Sequence, residues 1–336
     1  MLRSHPKKIL VDTDAGFDDL VALTCLLAHG YDIDLVTTVC GSNTALDTHH
    51  ALQRLFSAGL ENRIVPSKNR SRPSQAWLTD FRRRFDGFVE RHGSSTSVQP
   101  LGPIPSDDDD MTTGRVRRFL LNSPDDSVDL LCLGPLSNVA SWMEQFPDLM
   151  MAKVANVWIL GGSHPTTGRV DEFNFGQDTH AASFVLEGRL AKKITLIPGD
   201  ATSHNLVADD FIPTVVDAAR RQSQLQVISN DSNRNKLNPF LLAQIIEEEQ
   251  QYSIFYDPIC VFLYLHPEAA RFSPVPLRVD PESGVTKYFA SAAAMIPIAE
   301  QVDFGAYQVW LLQAIHATRN APGASCTTVE EARPSP

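Results

Sequence analysis

Hydrophobic and polar residues alternate with two different periods along the first part of the chain. Short apolar runs that are typical of buried strands occur at "KKILVDTD", "IDLVTTVCG" and "NRIVP". Between them, "FDDLVALTCLLAHG" and "TALDTHHALQRLFSAGL" have the apolar spacing of helices and a glycine at or near the end. This order of strand, helix, strand, helix and strand predicts a mostly parallel sheet with helices on both faces.

The pattern is interrupted between Ser67 and about Thr112. The interruption contains the basic stretch "RSRPSQAWLTDFRRRF", a part rich in proline and serine, and "DDDD", so it predicts a long irregular loop that is functional or disordered. The alternation then resumes, with strands predicted at "SVDLLCLG", "VANVWILGG" and "KKITLIPGD" and helices at "PLSNVASWMEQF" and "THAASFVLEG". Three further elements are predicted: a mostly helical region at 208–250, an antiparallel strand pair at 274–290 and a last helix at 305–318.

The chain shows no internal repeat and no second hydrophobic core. We therefore predict a single α/β domain over residues 1–320, built on an open, mostly parallel, Rossmann-like sheet with helices on both faces. The remaining residues, 321–336, have the composition of a disordered tail. With 336 residues, of which 43% are hydrophobic and 21% charged, the chain can bury a large core.

Net charge and cysteine usage narrow the class of protein. The formal net charge of −11 argues against a sequence-independent nucleic-acid binder, which needs a basic face, and fits a protein that holds a cation. The five cysteines lack CxxC spacing and mostly lie in apolar runs, which indicates reduced thiols of an intracellular protein. The first strand leaves no room for a signal peptide, and no apolar run reaches the roughly 18 residues of a membrane span. We therefore expect a cytoplasmic protein without membrane contact.

Four aspartates crowd the turn "VDTDAGFDD", which follows the first predicted strand. Asp12, Asp14, Asp18 and Asp19 would repel one another by on the order of a few kcal/mol per pair at about 4 Å in a partly dry site. Capping of the following helix is an alternative role for Asp18 and Asp19, since a helix N-terminus favours negative charge. Capping does not explain Asp12 and Asp14, so another group must offset the repulsion.

Further oxygen-bearing residues follow the other predicted strands. They are Ser42, Asn43, Ser137, Asn138, Glu172, Asn174, Asp200, Thr202 and Asp257. Because the carboxyl ends of parallel strands meet at one edge of a sheet, these residues are expected to converge on one rim. A rim of carboxylates with very few cationic residues favours a hard divalent cation, and calcium takes six to eight oxygen ligands.

The turn "VDTDAGFDD" resembles the amino-terminal signature of the nucleoside N-ribohydrolases, the inosine/uridine-preferring nucleoside hydrolase superfamily. Further family blocks follow in the same order at "GPLSNVA", "LGG", "EFN", "GDATS" and "YDP", and the resemblance covers roughly residues 7–318. The wording of "GPLSNVA" and the tryptophan in "RPSQAWLTDFRRR" are most similar to the inosine-adenosine-guanosine-preferring branch. The resemblance implies calcium-dependent hydrolysis of the N-glycosidic bond of ribonucleosides, with a preference for purines, giving ribose and free base in purine salvage.

The resemblance also implies roles for individual residues. It assigns Asp18 as the general base, and it assigns a calcium ion to Asp14, Asp19, Asp257 and the backbone carbonyl of Leu133. It assigns substrate binding to Asp12, Asn43 and Asn174, and the 5′ side of the sugar to Glu172. If "EFN" is extended, its alternation puts Glu172 and Asn174 on the ligand side and Phe173 in the core. A plain surface amide is the alternative for Asn174.

Tyr256 stands where many members of this family have a histidine that protonates the leaving base. In the purine-preferring branch this place is aromatic, so Tyr256 and Trp77 are predicted to stack on the two faces of a purine. The alternatives are a core tyrosine and a loop tryptophan that covers apolar surface. Leu160 replaces the usual methionine and Thr166 an expected asparagine, which puts recognition of the 5′-hydroxyl in doubt.

Four histidines are further candidates for ligands or acids: His49, His50, His180 and His204. His49 and His50 are predicted in the middle of a helix and partly exposed, whereas His204 follows "GDATS" and could reach the rim.

Two rival functions stay open. "ILVDTDAG" also fits a haloacid-dehalogenase-type phosphatase with Asp12 as nucleophile, Asp14 as acid and magnesium, although "GPLSNVA" and "EFN" have no place in it. The other rival is a non-catalytic binder that keeps the fold and the metal. In the main interpretation the partner is a small-molecule nucleoside, and the protein is expected to be a homo-oligomer, either a dimer or a tetramer.

Overall fold

The computed structural model describes residues 7–56, 60, 63–67, 76–93, 111–167, 172–203, 206–228, 240–292 and 294–317. Nine described strands form one sheet in the order β3-β2-β1-β4-β5-β6-β9-β7-β8. The strands from β3 to β9 in this order are parallel, and β7 pairs antiparallel with both β9 and β8. Their bounds are β1 Lys8–Thr13, β2 Leu35–Thr38, β3 Ile64–Pro66, β4 Val128–Cys132, β5 Val154–Leu160, β6 Ile194–Ile197, β7 Arg271–Val279, β8 Thr286–Tyr288 and β9 Met295–Glu300.

Helices cover both faces of this sheet, as the sequence predicts for an α/β fold. They are α1 Phe17–Ala28, α2 Ala45–Leu55, α3 Ala76–His92, α4 Met111–Leu121, α5 Ser137–Gln145, α6 Pro147–Lys153, α7 Phe173–Gln177, α8 Thr179–Glu187, α9 Phe211–Ile228, α10 Leu241–Glu249, α11 Asp257–Leu265 and α12 Phe304–His316. Successive residues of β1 face opposite sides, so Ile9 and Val11 join one buried cluster and Leu10 the other. Each cluster is large, because a parallel sheet buries both of its faces.

The interruption of the pattern after Ser67 is not wholly an irregular loop, so that prediction was wrong for residues 76–93. Helix α3 forms there because Phe81, Phe85 and Phe88 recur at helical spacing and bury one face. All three rings pack edge-on against Phe17, with centroids 5.7, 5.3 and 5.4 Å away. The arginines of this helix are half-buried or exposed, so its apolar face can pack against the core. Residues 68–75 and 94–110 lie outside the described residues.

The carboxyl-terminal part also departs from the prediction in one respect. The strand pair at 274–290 is confirmed as β7 and β8, and the last helix as α12. Strand β9 was missed, although it pairs parallel with β6 and joins the antiparallel pair to the main sheet. Cys25, Cys40, Cys132 and Cys260 are buried, as expected from their apolar neighbours, and form no disulfide within the described residues. None of the described helices combines the length and hydrophobicity needed to cross a bilayer.

Candidate active site

A pocket of about 720 Å³ opens at the carboxyl ends of the parallel strands. Its walls are of two kinds. The first consists of residues at or just beyond strand ends and at the start of α1, α7 and α11, including Asp14, Asp18, Asp19, Leu133, Leu160, Asn174, Asp200 and Asp257. The second comes from α3, the end of α10 and the turn after it, and contributes Phe81, Arg84, Glu249 and Tyr252. Of the nine further residues predicted to converge on one rim, Ser42, Glu172, Asn174, Asp200 and Asp257 line this pocket, whereas Asn43, Ser137, Asn138 and Thr202 do not.

Three carboxylates form a cluster in this pocket. One oxygen from each of Asp18, Asp19 and Asp257 lies within 4.8 Å of the others. Asp18 and Asp19 are in the first turn of α1, and Asp257 is the first residue of α11, so two helix N-termini point their partial positive charge at the cluster. Asp14 also lines the pocket, but the three clustered carboxylates include Asp18 and not Asp14.

The local sequence "DTDAGFDD" folds into a tight turn that fixes Asp19. Ala15 has φ of 48°, a left-handed conformation that the surrounding hydrogen bonds hold. The hydroxyl of Thr13 donates to Asp19 Oδ1 and accepts the Ala15 amide at 3.0 Å, while the Gly16 amide donates to Asp19 Oδ2 at 2.8 Å. Asp19 thus closes the turn and starts α1, as the capping alternative predicts, and also faces the pocket.

Asp14 is held against the loop that follows β2. Its Oδ2 accepts the Ser42 amide at 2.5 Å, and its backbone carbonyl accepts the Thr48 hydroxyl at 2.9 Å. A glycine is required at position 41, where the backbone passes close to Asp14, because a Cβ atom there would lie only 2.0 Å from Asp14 Oδ2. The backbone of the loop therefore approaches the carboxylate closely enough to fix its position.

Asp12 and Asn43, both predicted to bind substrate, are buried and do not line the pocket. Asp12 Oδ1 accepts from Thr37 Oγ1 at 2.6 Å and from Asn138 Nδ2 at 2.7 Å, whereas its Oδ2 has no hydrogen-bond partner within the described ranges. Asn43 Nδ2 donates to the Ala15 carbonyl at 3.0 Å, so it braces the aspartate turn. Their roles in substrate binding stay predictions.

Burial disfavours the charged form of these carboxylates and raises their pKa values. It raises the pKa of Asp18 to about 7, with repulsion from Asp14 adding to the effect, and it raises the pKa of Asp12 to about 7. The pKa values of Asp19 and Asp257 lie well above their usual range, first from burial and then from neighbouring carboxylates. No ion pair between described residues includes Asp14, Asp18, Asp19 or Asp257.

The donor set fits a divalent cation. Asp257 Oδ1 is buried and has no hydrogen-bond partner among the described residues, although buried polar atoms normally have one. Several carboxylate oxygens converge beside it, and oxygen is the ligand atom that calcium and magnesium prefer. A cation here would satisfy the orphaned oxygen and offset the repulsion between the carboxylates.

The segment "EFN" is not extended, so its predicted alternation was wrong. Glu172 caps α7 by accepting the amides of Asn174 at 3.0 Å and Phe175 at 2.8 Å. As a result Phe173 lines the pocket, and Phe175 takes the buried core position that the prediction gave to Phe173. Glu172 and Asn174 still line the pocket, as predicted.

The amide group of Asn174 spans two strand ends. Its Nδ2 donates to the backbone carbonyls of Leu133, at 3.0 Å, and Leu160, at 3.2 Å. Because it is buried and hydrogen-bonded in this way, Asn174 is not the plain surface amide of the alternative interpretation.

Tyr256 lines the pocket and has a strained backbone. Its φ of 66° and ψ of −99° are rarely adopted by residues other than glycine, and such strain is often found at functional sites. The side chain is half-buried and packs partly against the core. The side chain of Trp77, its predicted stacking partner, lies outside what the structure describes, whereas Phe81 of the same helix lines the pocket.

Sequence reasoning missed the polar pair on the helical wall. Arg84 forms an ion pair with the buried carboxylate of Glu249, so the expectation of a rim with very few cationic residues holds only for the strand ends. The helical spacing of phenylalanines in "FRRRFDGF" is the signal that could have placed Arg84 on a helix. Nothing in the sequence indicates its pairing with Glu249, which comes from a distant helix.

His49 is buried rather than partly exposed, which corrects the prediction for this residue. Neither ring nitrogen has a hydrogen-bond partner among the described residues. Burial, followed by the nearby His50, lowers the pKa of His49 to about 4, so it is neutral at physiological pH. His50 is half-buried, in agreement with the prediction, and His204 lies outside the described residues.

Comparison with known families and proteins gives a consistent result. The family model for inosine-uridine preferring nucleoside hydrolases matches residues 9–308. The chain is 24% identical over 327 residues to the non-specific ribonucleoside hydrolase RihC of Shigella boydii, covering 91% of this chain and 97% of that protein. It is 26% identical over 296 residues to the uncharacterized protein C1683.06c of Schizosaccharomyces pombe, covering 83% and 86% of the two chains.

Solved structures share the fold. The inosine-uridine preferring nucleoside hydrolase of Bacillus anthracis has a TM-score of 0.66 at 17% identity, covering 93% of this chain and 99% of that one. The purine-preferring ribonucleoside hydrolase of Gardnerella vaginalis has a TM-score of 0.64 at 17% identity, covering 92% and 98%.

Proposed function

The chain belongs to the inosine-uridine preferring nucleoside hydrolase family and is an N-glycosyl hydrolase of ribonucleosides, and from this premise we propose that it depends on calcium and prefers purine nucleosides. One observation carries the metal part of the proposal. Carboxylate oxygens of Asp18, Asp19 and Asp257 lie within 4.8 Å of one another in a pocket, and Oδ1 of Asp257 has no hydrogen-bond partner in the part of the chain that the structure describes. The phosphatase alternative has no comparable support, since the family match covers residues 9–308.

Asp14, Asp19, Asp257 and the carbonyl of Leu133 are the residues that we propose hold the cation. A bound calcium ion would supply a positive charge that lowers the pKa of water, an effect that is weak for calcium. A separate base is therefore needed. Asp18 lines the pocket beside the proposed ligands Asp19 and Asp257, and we assign it as the group that accepts a proton from the attacking water.

The sugar is proposed to lie against the wall of strand ends. Cleavage of a C–N glycosidic bond passes through a sugar with oxocarbenium character, as in O-glycoside hydrolysis, and nearby carboxylates stabilise its developing positive charge. Asn174 and Glu172 line the same pocket, and their hydrogen bonds to Leu133, Leu160 and the start of α7 hold them rigidly. We assign Asn174 to the ribose hydroxyls and Glu172 to the 5′ side.

The base is proposed to stack on aromatic side chains. The pocket is lined by Phe17, Phe81, Phe173, Tyr252 and Tyr256, and a stacked base gains roughly 1–3 kcal/mol per aromatic face. A purine offers the larger face, which supports the purine preference. Use of all bases alike is the second candidate, because the Shigella boydii relative is named a non-specific ribonucleoside hydrolase.

A nucleoside panel tests the proposal. The purified protein is incubated with inosine, adenosine, guanosine, uridine and cytidine, with calcium or with excess chelator, and release of reducing sugar is measured. We expect the highest kcat/KM with a purine nucleoside and loss of activity with chelator. Asp125→Asn, at an exposed carboxylate that pairs with Lys153 on the surface, is the matched control for Asp257→Asn. Equal rates with all five nucleosides would replace the purine preference with the second candidate.

Three wider properties are part of the same proposal. We place the protein in the cytoplasm, where a reducing environment suits buried cysteines that form no disulfide among the described residues. We assign it to purine salvage, and we propose a dimer or tetramer, which light scattering coupled to size-exclusion chromatography would measure.

A further inference from the structure

Arg84 is the one permanent cation among the described residues that line the pocket. Seven carboxylates line the same cavity: Asp14, Asp18, Asp19, Glu172, Asp200, Glu249 and Asp257. Arg84 belongs to the helical wall, which also supplies Phe81 and Tyr252, and not to the wall of strand ends. Arg84 therefore shares a wall with Phe81 and Tyr252, two of the aromatic side chains assigned to the base.

Two carboxylates hold the guanidinium. Arg84 Nε lies 3.4 Å from Asp80 Oδ2 one turn earlier in α3, and Arg84 Nη1 is hydrogen-bonded to Oε1 of Glu249 at the end of α10. The Glu249 side chain is only 4% exposed, whereas that of Arg84 is 44% exposed. A guanidinium carries five N–H groups in a rigid fork, more than these two contacts use, so it can donate to a ligand without leaving its partners.

The reaction needs a group of this kind. When the C1′–N bond breaks, its electron pair passes to the nitrogen of the base, which departs with negative charge. A histidine that would protonate the base is missing before Asp257, and the Tyr256 that replaces it has a reference pKa near 10. A fixed hydrogen-bond donor aimed at developing charge is one of the most effective catalytic devices.

We propose that Arg84 stabilises the departing base by donating hydrogen bonds to it, and that Glu249 and Asp80 are positioning residues for Arg84; this inference rests on the proposed nucleoside hydrolysis. Water adds its oxygen to C1′ and yields one proton to Asp18. The base leaves as an anion bound to Arg84, which keeps its own proton. Asp18 then releases its proton to solvent, and the base takes one proton from solvent. The products are ribose and neutral base, so atoms and charge balance.

Substrates with different leaving groups test the proposal. Arg84→Gln is compared with the unmodified protein on inosine and on 4-nitrophenyl β-D-ribofuranoside, whose nitrophenolate departs without assistance. We expect Arg84→Gln to lower kcat on inosine by about 10²–10³-fold, the usual effect of removing one such donor. On the nitrophenyl riboside the loss should be smaller than about threefold.

Arg84→Lys, which keeps the charge but loses the fork, should recover part of the inosine rate. Glu249→Gln should show the same selectivity for inosine if it acts by positioning.

Arg91→Gln is the matched control. Arg91 is on α3 and pairs with Glu248 of α10 at 2.8 Å, so it joins the same two helices without lining the pocket. Its loss should leave both substrates within about twofold. Equal losses on both substrates in Arg84→Gln would overturn the proposal in favour of a structural role, and unchanged rates would overturn it outright. If the unmodified protein cleaves neither compound, the proposed function fails and the inference fails with it.

Discussion

The side-chain amide of Asn174 donates to the backbone carbonyl of Leu133 over 3.0 Å. The sequence resemblance gives these two residues separate tasks, ribose binding and cation binding, yet the fold joins them by one hydrogen bond. A carbonyl oxygen has two lone pairs, so Leu133 can accept from Asn174 and still face a cation. The proposed sugar and cation sites are therefore parts of one hydrogen-bonded unit.

Asn174→Ala tests this arrangement. The change removes the donor to Leu133 and Leu160 and the proposed contact with ribose, so we expect KM for the preferred nucleoside to rise by about tenfold or more, a loss of about 1.4 kcal/mol. Calcium affinity should change by less than about threefold, because the carbonyl itself remains. Titration calorimetry and steady-state kinetics measure the two effects. A large loss of calcium affinity with unchanged KM would contradict the assignment.

Asp257→Asn tests the cation site with two readouts. Removing one buried charged partner costs roughly 2–5 kcal/mol, so calcium affinity should fall by on the order of 10²-fold or more. Without calcium, the variant should unfold at a higher temperature than the original protein, because burial and the neighbouring carboxylates disfavour an ionisable group at this position and the amide stays neutral. Calorimetry and thermal denaturation in chelator measure these effects. Undiminished calcium binding would rule Asp257 out as a ligand.

Asp18→Asn separates the base from the ligands. If Asp18 accepts the proton from water, kcat should fall by at least on the order of 10²-fold, the lower range for acid–base groups. Calcium affinity should fall much less than in Asp257→Asn. Because Asp18 belongs to the close carboxylate trio, the opposite result is possible: a large loss of affinity would reassign Asp18 as a ligand.

Tyr256 is tested by two substitutions. Tyr256→Phe keeps the aromatic face and loses the hydroxyl, whereas Tyr256→Ala loses both. If Tyr256 acts by stacking, kcat/KM for a purine nucleoside should be nearly unchanged in the first variant and should fall by roughly 1–3 kcal/mol, or about 5- to 150-fold, in the second. Equal losses in both variants would show that the hydroxyl is the part that matters.

His49 makes stability depend on pH. Its pKa is about 4 in the folded protein and near 6.5 when unfolded, so between these values the unfolded chain binds more protons. Stability from this residue is complete above pH 6.5 and is lost as the pH falls towards 4, by up to about 1.4 kcal/mol per pH unit. Denaturant unfolding at several pH values gives the free energy of unfolding as a function of pH. Between pH 4 and 6.5 this free energy should change less with pH in His49→Leu than in the original protein. Leu52→Ala, on the same helix, removes no titratable group and is the control: it should lower the free energy of unfolding by a similar amount at every pH.

The sheet and most helices could be predicted from the sequence because their apolar periods are clear. Strand β9 and helix α3 were missed for different reasons. Strand β9 contains Pro297, which weakens the strand pattern, and it lies next to β6, a strand that is distant in the chain. Helix α3 is rich in arginine, so its charge concealed the apolar stripe of Phe81, Phe85 and Phe88.

The acids of the pocket could also be predicted, since parallel strands bring their carboxyl ends together. The conformation of "EFN" could not be predicted, because three residues are too few to tell a strand from the start of a helix. The Arg84–Glu249 pair depends on how two helices meet across the cavity, and this is a property of tertiary packing.

The acidic cluster draws Asp18 and Asp19 from the beginning of the chain and Asp257 from near its end. Contacts between such distant segments form only after a long loop has closed, and they slow folding. During synthesis, a ribosome-bound chain that already displays a finished β1–β4 sheet would lack the third carboxylate. Cation capture would then be a late event of maturation, and a binding assay on arrested chains of increasing length would detect it only once α11 has emerged.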